Sequence, residues 1–240
     1  MKIVWFLQGG FGFITPHLRL MVDLYLSNEG ERMKGLSKLS PTPCTVGQLR
    51  PDAWVCTHDH LDHFDEPTVL EVLNTWPDCI HVGPQSVYEH LERLNAPSSK
   101  IRLLNEGDQV TLGDVRVLGA PASHSDPAAI GLVLASQGLR VYITGDSLLT
   151  EPLKEWAREV KDIDLMCVCI NGRLGNMNSK EAVELVSLVR PRLVVPMHYG
   201  LFAENTADPV SFVEASRRAG HPAKVLELAK EYDVKELVET

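Results

Sequence analysis

With 240 residues, 44% hydrophobic and 23% charged side chains, the chain has the make-up of a folded globular protein, which argues against a disordered one. At this length a single α/β domain over residues 1–240 is expected, because layered sheets of this size share one core. The formal net charge of −9, with no basic run, excludes nucleic acid as a partner, since polyanion binding rests on clustered Lys and Arg.

The opening Met1–Leu7 is apolar but breaks at Gln8-Gly9-Gly10 without a cleavage-type tail. No apolar run approaches the roughly 20 residues that cross a bilayer, so no membrane is expected as a partner. The five cysteines, Cys44, Cys56, Cys79, Cys167 and Cys169, are odd in number and lack CxxC spacing, which fits reduced thiols and a cytoplasmic location.

In chain order, Ile3–Leu7, Phe11–Ile14 and Leu20–Leu26 read as three strands of a meander. Gly9, Gly10 and Gly12 precede β-type residues rather than a helix start, so they read as tight backbone turns and not as a phosphate loop. Asp23 falls within the third strand, either supporting a site from behind or facing solvent. Residues 27–50 are polar, punctuated by Gly30, Gly35, Pro41, Pro43 and Gly47. A connection longer than about 12 to 15 residues is usually functional or mobile, so this one is a candidate lid. A passive, partly helical insertion and a self-association segment are the alternatives.

Asp52–Cys56 then reads as a short buried strand running out into Thr57-His58-Asp59-His60-Leu61-Asp62-His63, where three of the nine histidines and two aspartates fall within seven residues. Loops held on a rigid sheet are where chemistry is carried. In an extended segment residues two apart face the same way, which aims His58 and His60 at one ion, while a turn after Leu61 aims Asp62 and His63 at a second. Imidazoles and carboxylates suit borderline divalent ions, Zn²⁺ or Mn²⁺, and paired ions about 3.5 to 4 Å apart recur where water is directed at an electrophile.

The run His58-x-His60-x-Asp62-His63 resembles the signature of the metallo-β-lactamase superfamily. The longer Thr57-His58-Asp59-His60-Leu61-Asp62-His63-Phe64-Asp65 is similar to its L-ascorbate-6-phosphate lactonase branch. The resemblance implies a four-layered αββα sandwich with metals at the edge where the two sheets meet. It also implies three downstream ligands, His124, Asp146 and His198. One ion would then take His58, His60 and His124, the other Asp62, His63 and His198, with Asp146 as the bridge.

Beyond the cluster, Glu66–Trp76 and Pro84–Leu94 have helical character around a strand at Ile80–Val82. Strands follow at Ile101–Leu104, Gln109–Leu112 and Val115–Ala120, divided by Glu106-Gly107-Asp108 and Gly113-Asp114. Ile130–Ala135 and Leu139–Thr144 form a hairpin across Gln137-Gly138. A helix at Pro152–Val160, a strand at Leu165–Ile170, a helix at Ser179–Val189, a strand at Leu193–Val195 and a helix at Pro209–Ala219 complete a second half that repeats the outline of the first. The tail from Val225 adds an edge strand and a charged segment. Cys167 and Cys169 share one face of their strand and read as core, and His17, His81, His90 and His221 read as structural or solvent-facing.

These residues point to a metal-dependent hydrolase, with Asp62 and Asp146 as its catalytic carboxylates and a metal-activated hydroxide as nucleophile. The resemblance implies a lactone of a small, phosphorylated sugar acid as substrate. Arg173 of the loop 171–178 is placed to hold a phosphate or carboxylate, unless it is a solvated loop residue. Asn171 and Tyr199 complete the substrate-binding set. The chain departs from the lactonase branch in being shorter and in carrying His124 where the ascorbate-specific enzymes have another residue. The alternatives are a phosphodiesterase on a small phosphorylated compound and a non-hydrolytic di-iron redox protein. The latter carries a glutamate at the position of His60, and often a flavin domain. A homo-oligomer is compatible with this reading.

Overall fold

Period-two alternation builds the first sheet. β1 (Lys2–Trp5), β2 (Phe11–Ile14) and β3 (Arg19–Val22) run antiparallel. After α1 (Glu29–Lys34) and α2 (Val46–Leu49) come β4 (Ala53–Val55), α3 (Glu66–Thr75), β5 (Ile80–Gly83), α4 (Gln85–Arg93) and β6 (Ile101–Leu103). The strands β3 to β6 are parallel neighbours. Ile3, Trp5, Phe11, Phe13, Leu20, Val22, Ala53 and Val55 belong to the core shared with the second sheet. Val4, Met21 and Trp54, one residue out of phase, join a separate cluster with Val69 and Val72 of α3 and Val87 and Leu91 of α4.

The second half repeats the plan. β7 (Gln109–Leu112), β8 (Val115–Pro121), β9 (Ile130–Ser136) and β10 (Leu139–Ile143) form an antiparallel meander. α5 (Glu151–Glu159), β11 (Leu165–Cys169), α6 (Ser179–Val189) and β12 (Leu193–Met197) then extend it in parallel, with α7 (Pro209–Arg218) packed on β12. The β9–β10 hairpin turns where expected, Gln137 and Gly138 both taking the left-handed φ that such two-residue turns require. The chain returns as β13 (Glu231–Asp233), paired antiparallel with β1, and ends in α8 (Val234–Glu239). The sheet orders are β13-β1-β2-β3-β4-β5-β6 and β12-β11-β10-β9-β8-β7. The computed structural model describes residues 1–239. Among these, no helix is long and apolar enough to cross a membrane.

This is the layered α/β sandwich expected from sequence, with two differences of local origin. The third strand ends at Val22 rather than Leu26, because Asp23 adopts φ 49° and turns the chain out of the sheet. Residues 27–50 are not an open connection. α2 is held by a capping box between Thr45 and Gln48, and Gly30 of α1 lies so close to Phe202 that a Cβ there would sit 2.7 Å from its ring. Each fully buried side chain the size of Trp54, Phe11 or Phe202 contributes roughly 1.5–3 kcal/mol. An interior of that kind can hold a cluster of buried charged groups at its rim.

Candidate metal centre

Strand ends carry the site. The His-rich loop follows β4, His124 follows β8, Asp146 follows β10 and His198 follows β12, so both sheets deliver their chemistry at one edge. The loop turns back on itself through the His63 N–H and the Phe64 N–H, both donating to the His60 carbonyl, at 2.9 and 2.6 Å. Asp23 fixes the loop from beneath. Its carboxylate accepts from the Thr57 N–H at 2.7 Å and the Thr57 hydroxyl at 2.6 Å, and lies 2.8 Å from His63 Nδ1. The aspartate is fully buried, which decides between the two readings of it in favour of support from behind. Gly9 gains a reason as well, because a Cβ there would fall 2.8 Å from His63 Cε1.

With Nδ1 engaged by Asp23, His63 turns Nε2 toward Asp146 Oδ1 at 3.2 Å. With Nδ1 lying 3.0 Å from the Thr57 hydroxyl, His58 likewise leaves Nε2 toward the centre. His124 Nε2 lies 3.0 Å from His60 Nδ1 and 3.8 Å from Asp146 Oδ2, its other nitrogen facing the Gly175 carbonyl at 3.1 Å. His198 Nε2 is 2.9 Å from Asp146 Oδ2 and 3.3 Å from Asp62 Oδ2. All seven residues expected as ligands therefore converge. They form three overlapping groups, His58–His60–His124, His58–His63–Asp146 and Asp62–His63–His198, the ligand atoms within each lying within 4.8 Å of one another.

The donor set fits divalent ions. His58 Nε2 is buried without a hydrogen-bond partner, which is costly for a polar atom unless an ion takes its lone pair, and His63 Nε2 and Asp146 Oδ1 have no hydrogen bond and face each other as an ion pair. Electrostatics divides the cluster. Burial, reinforced by neighbouring imidazoles, holds His58 well below the ordinary histidine range and lowers His60. Burial also opposes the charged forms of His63 and His198, but Asp146 and its neighbouring carboxylates outweigh it. His63 is held well above the usual range and His198 is raised to about 9. Burial disfavours ionised Asp62 and Asp146 too, yet the facing imidazoles pull both below the usual carboxylate range.

Over the cluster opens a cavity of about 470 Å³, lined by His60, Asp62, His124, Ser125 and Asp146 at its base. Leu36, Leu61, Leu174 and Phe202 form apolar walls, with Lys34, Glu204 and Asn205 completing the lining. Lys34 and Leu36 bring the 27–50 segment to the site as a rim anchored on Phe202. The three residues expected to bind substrate lie elsewhere. Arg173 is exposed and its guanidinium reaches the Glu204 carbonyl at 3.4 Å. Asn171 is buried and donates to Asn205 Oδ1 and the Arg173 carbonyl, tying the loop together. Tyr199 stacks on Trp5 with centroids 4.5 Å apart. In the 171–178 loop Gly172 and Leu174 take left-handed φ, and it is Leu174 rather than Arg173 that lines the cavity.

Two side chains that matter have no signal in the motif. Asn176 donates from Nδ2 to Asp146 Oδ2 at 2.7 Å, and Gln8 donates from Nε2 to Asp62 Oδ2 at 2.8 Å. Of the four histidines read as structural or solvent-facing, His81 is buried in β5, and burial lowers it to about 4. His90 grips Asp59 of the ligand loop, with Nδ1 2.6 Å from Oδ1.

Two mixed sheets that meet at a His/Asp cluster define the metallo-β-lactamase fold, and residues 20–199 match the β-lactamase superfamily domain. The chain is 34% identical over 226 residues to a UPF0173 metal-dependent hydrolase of Pyrobaculum calidifontis, covering 91% of this chain and 94% of that relative. It is 29% identical over 209 residues to a UPF0173 protein of Pyrococcus abyssi, covering 87% and 88%. The chain belongs to the metallo-β-lactamase superfamily of metal-dependent hydrolases, alongside these UPF0173 proteins. The same fold is seen in Igni18, a metallo hydrolase from Ignicoccus hospitalis, with TM-score 0.77, 22% identity and coverage of 97% and 98%. It recurs in an isothiocyanate hydrolase from Delia radicum gut bacteria, with TM-score 0.76, 16% identity and coverage of 97% and 98%.

Proposed function

We propose that this protein hydrolyses a small lactone or carboxylic ester at a two-ion centre, with Zn²⁺ or Mn²⁺ held by His58, His60 and His124 on one side and Asp62, His63 and His198 on the other. Asp146 serves both. The observation that carries the reading is the conjunction of a seven-residue His/Asp cluster, with His58 Nε2 buried and unpartnered, and an apolar-walled cavity lined by His60, Asp62, His124 and Asp146 of that cluster. Divalent ions bound there lower the pKa of water toward roughly 7 and polarise the oxygen under attack. The chain's own groups do the rest. Asp62 borders the cavity and the facing imidazoles hold it ionised, so its carboxylate can orient the attacking water by accepting a hydrogen bond from it. Asn176 keeps Asp146 Oδ2 in place, which leaves Oδ1 facing His63 Nε2 within the centre. Leu36, Leu61, Leu174 and Phe202 exclude water from the body of the substrate.

A phosphorylated sugar acid is less well supported than an unphosphorylated lactone. Among the described residues lining the cavity Lys34 is the one cation, it is exposed, and Glu204 shares the lining. The test is a paired assay of the metal-free protein reloaded with Zn²⁺ or Mn²⁺, on a set of γ- and δ-lactones and on an aryl phosphodiester. Metal-dependent turnover of lactones with a silent phosphodiester is the expected outcome. The opposite preference would replace this reading with the phosphodiesterase one, and equal rates with and without metal would end both.

A further inference from the structure

Gln8 sits in the turn between β1 and β2, outside the ligand set, and is fully buried. Its backbone is locked to the turn that carries His198. The Gln8 N–H donates to the Tyr199 carbonyl at 3.2 Å, and the Gln8 carbonyl accepts from the His198 N–H at 2.9 Å and from Trp5 Nε1 at 3.2 Å. Leu7, Gln8 and His198 all take left-handed φ, at 76°, 48° and 64°. Two such turns facing each other are an arrangement that non-glycine residues adopt at a cost, and here it delivers one carboxamide into the cluster.

The carboxamide is oriented by its neighbours. Nε2 donates to Asp62 Oδ2 at 2.8 Å, and the reversed amide would set its oxygen against that carboxylate. The same Nε2 is 3.2 Å from both ring nitrogens of His198. A point equidistant from the two cannot lie along either lone pair, so the amide rests over the ring face and leaves His198 Nε2 for its carboxylate partners. Gln8 Oε1 is buried with no partner. A glutamine that only filled space would not be oriented by two ligands of the same ion.

We propose that Gln8 is a positioning residue for the Asp62–His63–His198 ion, restraining Asp62 by a hydrogen bond and His198 by contact with its ring. This inference rests on the two-ion reading above. It predicts a selective effect, because among the described residues the hydrogen bonds of Gln8 run to Asp62, to the turn that carries His198 and to Trp5, all on one side of the centre. Titration of the metal-free parent and of Gln8→Met with Zn²⁺ alone, followed by calorimetry, reads the two affinities separately. In Gln8→Met one affinity should fall about 10- to 100-fold, the range seen when a partner of a metal ligand is removed, while the other changes less than about twofold. In a His60→Ala background, where the remaining ion is the one on the Asp62 side, adding Gln8→Met should weaken uptake by the same factor. Gln8→Asn, whose shorter amide cannot reach Asp62, serves if the methionine variant does not fold. Equal loss at both ions, or no loss at either, overturns the inference and makes Gln8 a packing residue. A parent that binds a single ion refutes the two-ion reading and the inference with it.

Discussion

The His58–His60–His124 side of the centre and the Asp62–His63–His198 side lie within a few ångströms of each other yet are built from opposite materials. The first offers imidazoles alone, and one of them, His60, is partly exposed to the cavity. Its outer support comes from the loops and α4. Asp126 accepts from the Asp59 N–H at 2.9 Å and the Ser86 hydroxyl at 2.6 Å, while His90 holds the Asp59 side chain. The second side is almost wholly buried and interleaves imidazoles with carboxylates, Asp23 included. Without an ion, imidazoles and carboxylates of the second side face one another as ion pairs, whereas on the first side burial and neighbouring rings lower His58 and His60. In the two-ion reading proposed above, the carboxylates are what would allow a second cation so close to the first.

Alanine substitutions should separate the two sides most sharply. His60→Ala and His63→Ala are both expected to lower kcat/KM by about 10³-fold or more, a loss of about 4 kcal/mol of transition-state stabilisation. Stability should diverge. His63→Ala leaves Asp23 as a buried carboxylate lacking one partner and should cost about 3–5 kcal/mol, whereas His60→Ala at the cavity floor should cost about 1 kcal/mol. Urea unfolding of the two metal-free variants checks this, and equal losses would erase the distinction.

A pH series on metal-free protein sharpens it further. His198 and His63 are raised in the fold, so their contribution is fully present below the unfolded value near 6.5 and is lost as pH rises, through about 9 for His198. For His198 that amounts to about 3 kcal/mol. His58 and His60 are lowered, so their contribution is present above about 6.5 and is lost as pH falls. Metal-free protein should thus melt highest near pH 6.5. His198→Gln should flatten the alkaline limb and His60→Gln the acid one. Loading with ion should raise melting most on the alkaline side, because ligand imidazoles must be deprotonated to bind. A limb unchanged by its variant would break the assignment.

The smallest expected effect belongs to Arg173→Ala. Its guanidinium reaches only the Glu204 carbonyl at the surface, so KM for an unphosphorylated lactone should change less than about twofold. A loss of binding confined to a phosphorylated analogue would return Arg173 to the substrate.

Most of the fold was legible because period-two strands, turn dipeptides and helix caps are local signals. Where reading failed, the cause was a residue whose conformation tertiary contacts decide. Asp23 looked like strand, since nothing local announces the left-handed φ that Thr57 and His63 reward. The converging cluster was legible in part from spacing, at His58, His60, Asp62 and His63, and for His124, Asp146 and His198 only through a resemblance, because single residues at strand ends carry no pattern. Gln8 and Asn176 were not legible at all. Their role exists only once the two sheets meet, as does the cavity wall that replaced Arg173 with its neighbour Leu174.

The facing turns at Gln8 and His198 join residues 190 apart in the chain. Closing so long a loop is among the most entropically demanding steps available to this sequence, and nothing rewards it until both sheets have formed. An ion met early in folding would find only the half-set on the 57–63 loop, without His124, Asp146 and His198. The finished centre thus acts as a latch that can be thrown only after the door is shut, and tight ion retention becomes a report that the whole chain has reached its native arrangement.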